Sequence, residues 1–517
     1  MEICTDARMD EILLGGDRLS IDDLVSVARR RRRATLAGEA VSAVKKSREL
    51  VEDWLHEGKV IYGVTTGLGA LCDVSIPLKD AIPLQRNTLL SHASGVGEPF
   101  SEEVVRGTMA VRIHDLAKGF AGIRLETLQA LLDALNSDIY PVVPSKGSVG
   151  ASGDLAPMAH LALVLIGEGE AFLHGRRVKA AEALESAGLE PITLGPGEGL
   201  ALINGTQVMT SLAALAVHDA ARLAKIADIA CAMSLEVLLG TNKGFDPRIH
   251  LLRPHPGQLA AARNMDRITA DSEIISSHKD CSRIQDAYTL RCSPQIHGAS
   301  RNAISHVRQT VDIEINSTTT NPLIFSDSKQ LLTGGNFHGQ PIALCTDYLS
   351  MAASELANVS ERRIERLVNP QLSGLPAFLV EDNGLNTGFM IAQYTAAALV
   401  SENKTLCHPA SVDSIPTSGN KEDHVSMGTI AARKCRSVIE NAEHVLAIEL
   451  LCACQGLDLL TRGQPGPGTL EAYRTVRENI PYLDRDRLLG PEIERISSLI
   501  RDGEILRRVE DKIGPLE

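Results

Sequence analysis

Four stretches of this chain repeat apolar residues at helical spacing for longer than the three or four turns of an average helix. Across residues 206–239, Val208, Leu212, Leu215, Ala216, Leu223 and Ile226 recur near a 3.6-residue period, and similar patterns cover 342–367, 387–405 and 427–454. Helices that long bury their apolar faces side by side, so the pattern predicts a mainly α bundle. Alternating strand-like runs are few and short. Aromatics make up only 3% of the chain, with one Trp, a composition of helix formers. A shorter helix should open at Ser20, where Asp23 sits three residues on as in a capping box. No repeat or low-complexity linker appears.

Charge and cysteine usage exclude several classes of function. With 52 basic against 65 acidic residues the net charge is -13, which argues against nucleic-acid and anionic-membrane partners. The five arginines at 29–33 therefore read as a solvated helix face. No apolar run approaches the roughly 20 residues of a membrane span. Residues 1–6 lack the basic-then-apolar pattern of a secretion signal. Ten cysteines in 517 residues, without a C-x-x-C pair, point away from a disulfide scaffold or structural zinc. Cys452 and Cys454 read as buried small hydrophobes, and no H-E-x-x-H spacing occurs. The expectation is a cytoplasmic protein without a metal.

The chemistry concentrates in P-S-K-G-S-V-G-A-S-G-D, residues 144–154. A phosphate-binding loop would need a Lys after its glycines. The glycines at 147, 150 and 153 miss dinucleotide spacing, and G-A-S-G is one residue short of a nucleophile elbow. A backbone cyclisation fits better. The Gly153 nitrogen can attack the Ala151 carbonyl, and loss of two waters turns Ser152 into an exocyclic methylene. Glycine suits the third position because its nitrogen is unhindered and its dihedrals are free.

The surrounding run G-S-V-G-A-S-G-D-L-A-P-M-A-H (147–160) closely resembles the signature of the aromatic amino acid ammonia-lyases. Six more motifs follow in family order: I-Y-G-V-T-T-G-L-G (61–69), L-S-H-A-S-G-V-G (90–97), G-L-A-L-I-N-G-T-Q (199–207), Q-D-A-Y-T-L-R-C-S-P-Q (285–295), G-G-N-F-H-G (334–339) and N-K-E-D-H-V-S-M-G (420–428). The resemblance implies a fumarase/aspartase-like fold. An N-terminal domain (1–200) would carry the cofactor loop, and a helical bundle domain (201–517) would follow. It implies 4-methylidene-imidazol-5-one (MIO) formed from Ala151-Ser152-Gly153, with Ser152 as 2,3-didehydroalanine inside an Ala151–Gly153 crosslink and no external cofactor.

By resemblance, Tyr62 is the general base for the substrate's β-proton. Free tyrosine titrates near 10, so a positive field would have to shift it. Arg291 matches the arginine that pairs with the substrate carboxylate, as a planar guanidinium can do bidentately. Asn204 and Tyr288 match residues bonded to the electrophile or the amine, and Gln285 and Phe337 match pocket-lining positions. Ser91-His92 matches the histidine-type pair, where phenylalanine and tyrosine enzymes resemble Phe-Leu or His-Leu. Glu422 matches a glutamate at the ring end of that pocket. Two polar groups suit imidazole, whereas a carboxylate against phenyl would be desolvated without return.

The resemblance therefore implies deamination of L-histidine to trans-urocanate and ammonia, the entry to histidine catabolism. The alternatives are elimination from phenylalanine, tyrosine or a histidine betaine, aminomutation, or a helical scaffold that never cyclises. It also implies a homotetramer, which the helices at 206–239 and 427–454 would be expected to build. Two positions depart from the family pattern. Lys421 replaces a Gln, and could either depress the Glu422 carboxyl or point outward; Thr320 replaces an Asp before Asn321-Pro322.

Overall fold

The structure, a computed structural model, describes residues 11–280 and 284–517. The N-terminal segment 1–6 read above lies outside them. The fold is mainly α. Among the described residues, strands form three two-stranded ribbons and one three-stranded sheet, and no helix is long and apolar enough to cross a membrane.

The four long periodic stretches are helices Gln207–Val237, Gln340–Val368, Met390–Leu406 and Gly428–Leu459. A fifth, Ser293–Ile315, escaped the periodicity reading because polar residues such as His297 and Ser300 interrupt its buried face. Helix Ile21–Arg30 starts as its capping signal predicts. The Asp23 N–H donates to Ser20 Oγ at 3.0 Å, and Ser20 Oγ donates to the Asp23 carboxylate at 2.7 Å. The arginine run is not one helix face, because the helix stops at Arg30 and Arg31 turns left-handed. Arg29 meets Glu103 at 2.5 Å and Arg31 meets Glu102 at 2.8 Å, so two of its charges are already answered by acids in the first turn of helix Glu102–Leu116.

Compactness divides the chain differently from an expected boundary after residue 200. One unit comprises Met1–His218, Arg308–Asp347 and Pro409–Arg433; the other comprises Asp219–Val307, Tyr348–His408 and Lys434–Glu517. The units interleave in sequence because four of the five long helices contribute one end to each. In the helices expected to build an assembly, most apolar side chains are already buried within the chain, with Leu212 at 2% and Val445 at 0% exposure. Apolar side chains already covered by other segments of the same chain are core rather than interface. Exposed apolar side chains fall elsewhere, at Leu344, Tyr348 and Met351 on one helix and at Ile391 and Tyr394 on another.

In the second unit, three long helices meet at a buried carboxylate. Glu449 accepts from Arg363 at 2.5 and 2.9 Å, from Ser234 at 2.7 Å and from Ser360 at 2.6 Å. Both Arg363 and Glu449 are fully buried. Arg363 Nη1 also donates to the Thr289 carbonyl at 3.4 Å, which ties this core pair to the short helix Tyr288–Arg291.

Candidate active site

In the first unit the serine loop is held from both ends. Strand Pro144–Lys146, which leads into it, pairs antiparallel with Val96–Pro99, just beyond the end of helix Ala81–His92. Past the serine, the Gly205 N–H donates to the Ser152 carbonyl at 3.2 Å, and the Asp154 N–H donates to the Gly205 carbonyl at 2.8 Å. Ser152 and Gly153 both adopt left-handed dihedrals, with φ of 50° and 78°. A Cβ on Gly153 would lie 2.0 Å from the Gly205 oxygen, so only glycine fits there.

Tyr62, His92, Ser152, Asn204 and Glu422 line one cavity of about 430 Å³. They come from five separate segments of the chain. Asn204 arrives at the end of helix Glu198–Ile203. Its Nδ2 donates to the Asn321 carbonyl at 3.2 Å, while its buried Oδ1 has no partner among the described residues. His92 Nδ1 lies 2.8 Å from the Thr88 carbonyl; a carbonyl only accepts, so Nδ1 carries the proton and Nε2 is left over. Glu422 accepts from the Thr417 hydroxyl at 2.6 Å. Lys421 points outward and is exposed, the second of its two expected orientations. Thr320 is buried at 3% exposure.

The expected lowering of Tyr62 is reversed. Burial pushes its phenol up, and the charges of Cys72 and Glu422 add to that, against the Gly69 N–H that donates to its oxygen at 3.1 Å. In this cavity Tyr62 keeps its proton.

The remaining candidates are not among the residues that line this cavity. Arg291 Nη2 donates to Gln285 at 2.8 Å, and its guanidinium lies 4.7 Å from the centre of the Tyr288 ring. Tyr288 is 69% exposed. These three belong to the second unit. Phe337 is half-buried in the first unit, outside the residues that line the cavity.

Sequence reasoning passed over Asp154, which follows Gly153 directly. An Asp at a helix start signals a cap, but its carboxylate makes no cap bond to its own helix, Leu155–Leu163. It accepts instead from the Met209 N–H at 2.9 Å and from the Thr429 hydroxyl. Burial pushes its carboxyl up from 3.8 to about 6, against those hydrogen bonds. A group whose folded pKa is raised stabilises the fold most below its unfolded value, and that contribution is lost as pH rises through the folded one. We expect stability to fall between about pH 4 and 6 through this group. Denaturant midpoints across that window should show a flatter pH dependence for Asp154→Asn than for the parent.

Cys452 and Cys454 are fully buried, as expected of small hydrophobes, and burial raises both thiols. Among the described residues no group of three or more His, Cys, Asp or Glu is placed to hold a metal ion.

Known proteins share both the pattern and the fold. The family model for aromatic amino acid lyases matches residues 19–478. A histidine ammonia-lyase of Alkaliphilus oremlandii is 53% identical over 505 residues, 98% of this chain and 99% of the relative. The crystal structure of histidine ammonia-lyase from Trypanosoma cruzi superposes with a TM-score of 0.91 at 42% identity, covering 97% of this chain and 96% of that one. Tyrosine aminomutase from Streptomyces globisporus gives 0.93 at 38% identity, covering 98% and 100%. The fumarase/aspartase-like architecture implied by the motifs is thus the fold of this chain. With a family model along most of its length and a relative more than half identical over nearly all of it, the chain belongs to the aromatic amino acid lyase family.

Proposed function

We propose that this cavity deaminates L-histidine to trans-urocanate and ammonia, on an electrophile cyclised from Ala151-Ser152-Gly153. The observation that carries the reading is one cavity wall bearing the serine of an Ala-Ser-Gly turn together with His92 and Glu422. The residues fit the cyclised group. Gly153 could be no other residue, Ser152 faces the cavity, and the unpartnered Asn204 Oδ1 lies beside them. Once formed, the methylidene-imidazolone supplies the electron sink that expulsion of a poor amine leaving group requires.

The chain's own side chains do the rest. His92 offers Nε2 to the substrate ring, and Glu422, steadied by Thr417, accepts a ring N–H. Tyr62 holds its proton until a positive charge arrives. The substrate ammonium brings that charge and lowers the phenol, which gives its proton up to solvent, and the resulting phenolate takes the β-proton. The guanidinium of Arg291, braced by Gln285 and stacked on Tyr288, is suited to the α-carboxylate. We assign the working form to a cytoplasmic homotetramer in which neighbouring copies complete each site; a monomer in light scattering at micromolar concentration would overturn that assembly.

The test is an ultraviolet product scan with L-histidine, L-phenylalanine and L-tyrosine supplied separately. Urocanate from histidine alone is expected. Cinnamate or coumarate would overturn the substrate assignment, and a β-amino acid product would make the chain an aminomutase. His92→Leu should lower kcat/KM for L-histidine by about one to two orders of magnitude, the worth of one hydrogen bond in a desolvated pocket. Unchanged kinetics would remove His92 from ring binding.

A further inference from the structure

One contact joins two loops of the first unit, and neither of its rings lines the cavity. His338 and His424 stack with ring centroids 5.5 Å apart and planes 22° from parallel. His338 Nδ1 accepts the Gln340 N–H at 3.3 Å, which puts its ring proton on Nε2. That N–H is directed at the His424 carbonyl at 3.3 Å and at His424 Nδ1 at 3.4 Å. His338 follows Phe337 directly, and His424 lies two residues beyond Glu422.

The segment that carries Glu422 is held at intervals. Upstream, Glu422 and Thr417 exchange backbone hydrogen bonds at 3.0 and 3.4 Å, a local bridge within one turn. Downstream, the Val425 N–H donates to Ser414 Oγ at 3.0 Å, and the Met427 N–H reaches the Val149 carbonyl at 2.9 Å, beside the serine loop. The His338 bond acts between these points and ties the backbone next to Glu422 to a loop more than 80 residues away in sequence.

We propose that His338 is a positioning residue: through the His424 carbonyl it fixes the backbone that aims the Glu422 carboxylate at the substrate ring. The proposal rests on Glu422 being the ring partner. A carboxylate displaced by about 1 Å loses much of its contribution to a bound, oriented substrate, so a bond that never touches substrate still sets the rate.

A double-mutant cycle tests it. His338→Phe keeps a stacking ring and removes both hydrogen bonds. His338→Gln returns an amide N–H near the place of Nε2. We expect His338→Phe to lower kcat/KM for L-histidine about tenfold and His338→Gln to stay within about twofold of the parent. Made in a Glu422→Gln background, His338→Phe should cost less than about twofold, because the group it positions is already altered. Intact mass should show cyclisation in every variant. Equal losses in both backgrounds, equal losses for Phe and Gln, no loss for Phe, or failure of His338→Phe to cyclise would each overturn the positioning role while leaving the substrate reading in place. A Glu422→Gln variant with parental histidine kinetics would instead remove the ring partner, and the proposal with it.

Discussion

Ser152→Ala is expected to leave a folded protein whose turnover of L-histidine is lower by at least about a thousandfold. The parent should weigh about 36 Da less than its unmodified chain, the mass of two waters, and the variant should show no such loss. The fold should survive because Ser152 is only half-buried, and the bond from the Gly205 N–H goes to its backbone carbonyl rather than to its hydroxyl. Full activity in the variant would end the electrophile assignment. Gly153→Ala should lose activity by a different route, since its Cβ would collide with the Gly205 carbonyl at a φ that alanine adopts poorly. The two variants separate missing chemistry from a blocked turn: circular dichroism and a denaturant midpoint should match the parent for Ser152→Ala and fall for Gly153→Ala.

The largest effect on stability is expected at Glu449→Ala. The substitution strands the buried Arg363 guanidinium and leaves the Ser234 and Ser360 hydroxyls without their acceptor. Removing one partner of a buried pair costs about 3–5 kcal/mol, read as a drop in the denaturation midpoint. Replacing both charges, Arg363→Met with Glu449→Leu, should cost less than the single change, because neither ion is then left uncompensated. A single variant as stable as the parent would show that the pair is not holding the three helices together. Because Arg363 also donates to the Thr289 carbonyl, activity of Glu449→Ala should fall beyond what its unfolded fraction explains, as the Tyr288–Arg291 turn loosens.

Local chemistry made the long helices, the Ser20 cap and the glycine-rich turn legible from residue order. Helical period, capping and the steric freedom of glycine act over a few residues, so the pattern carries them directly. The seven motifs carried the family as well. The reading went astray where long-range packing decided the outcome. The apolar side chains of the helices expected to form an interface are mostly covered by other segments of the same chain. The arginine run is broken at Arg31 and partly paired with Glu102 and Glu103.

The sequence by itself determined that Ala151-Ser152-Gly153 could cyclise and that His92 and Glu422 were imidazole-capable, because those are properties of residue type. Only the tertiary structure decided that Tyr62, His92, Ser152, Asn204 and Glu422 share one cavity, that Asp154 reaches across to Met209 and Thr429, and that Tyr62 is shifted upward. The reason is physical: desolvation and Coulomb interaction depend on what surrounds a group in space, and these neighbours come from segments far apart along the chain.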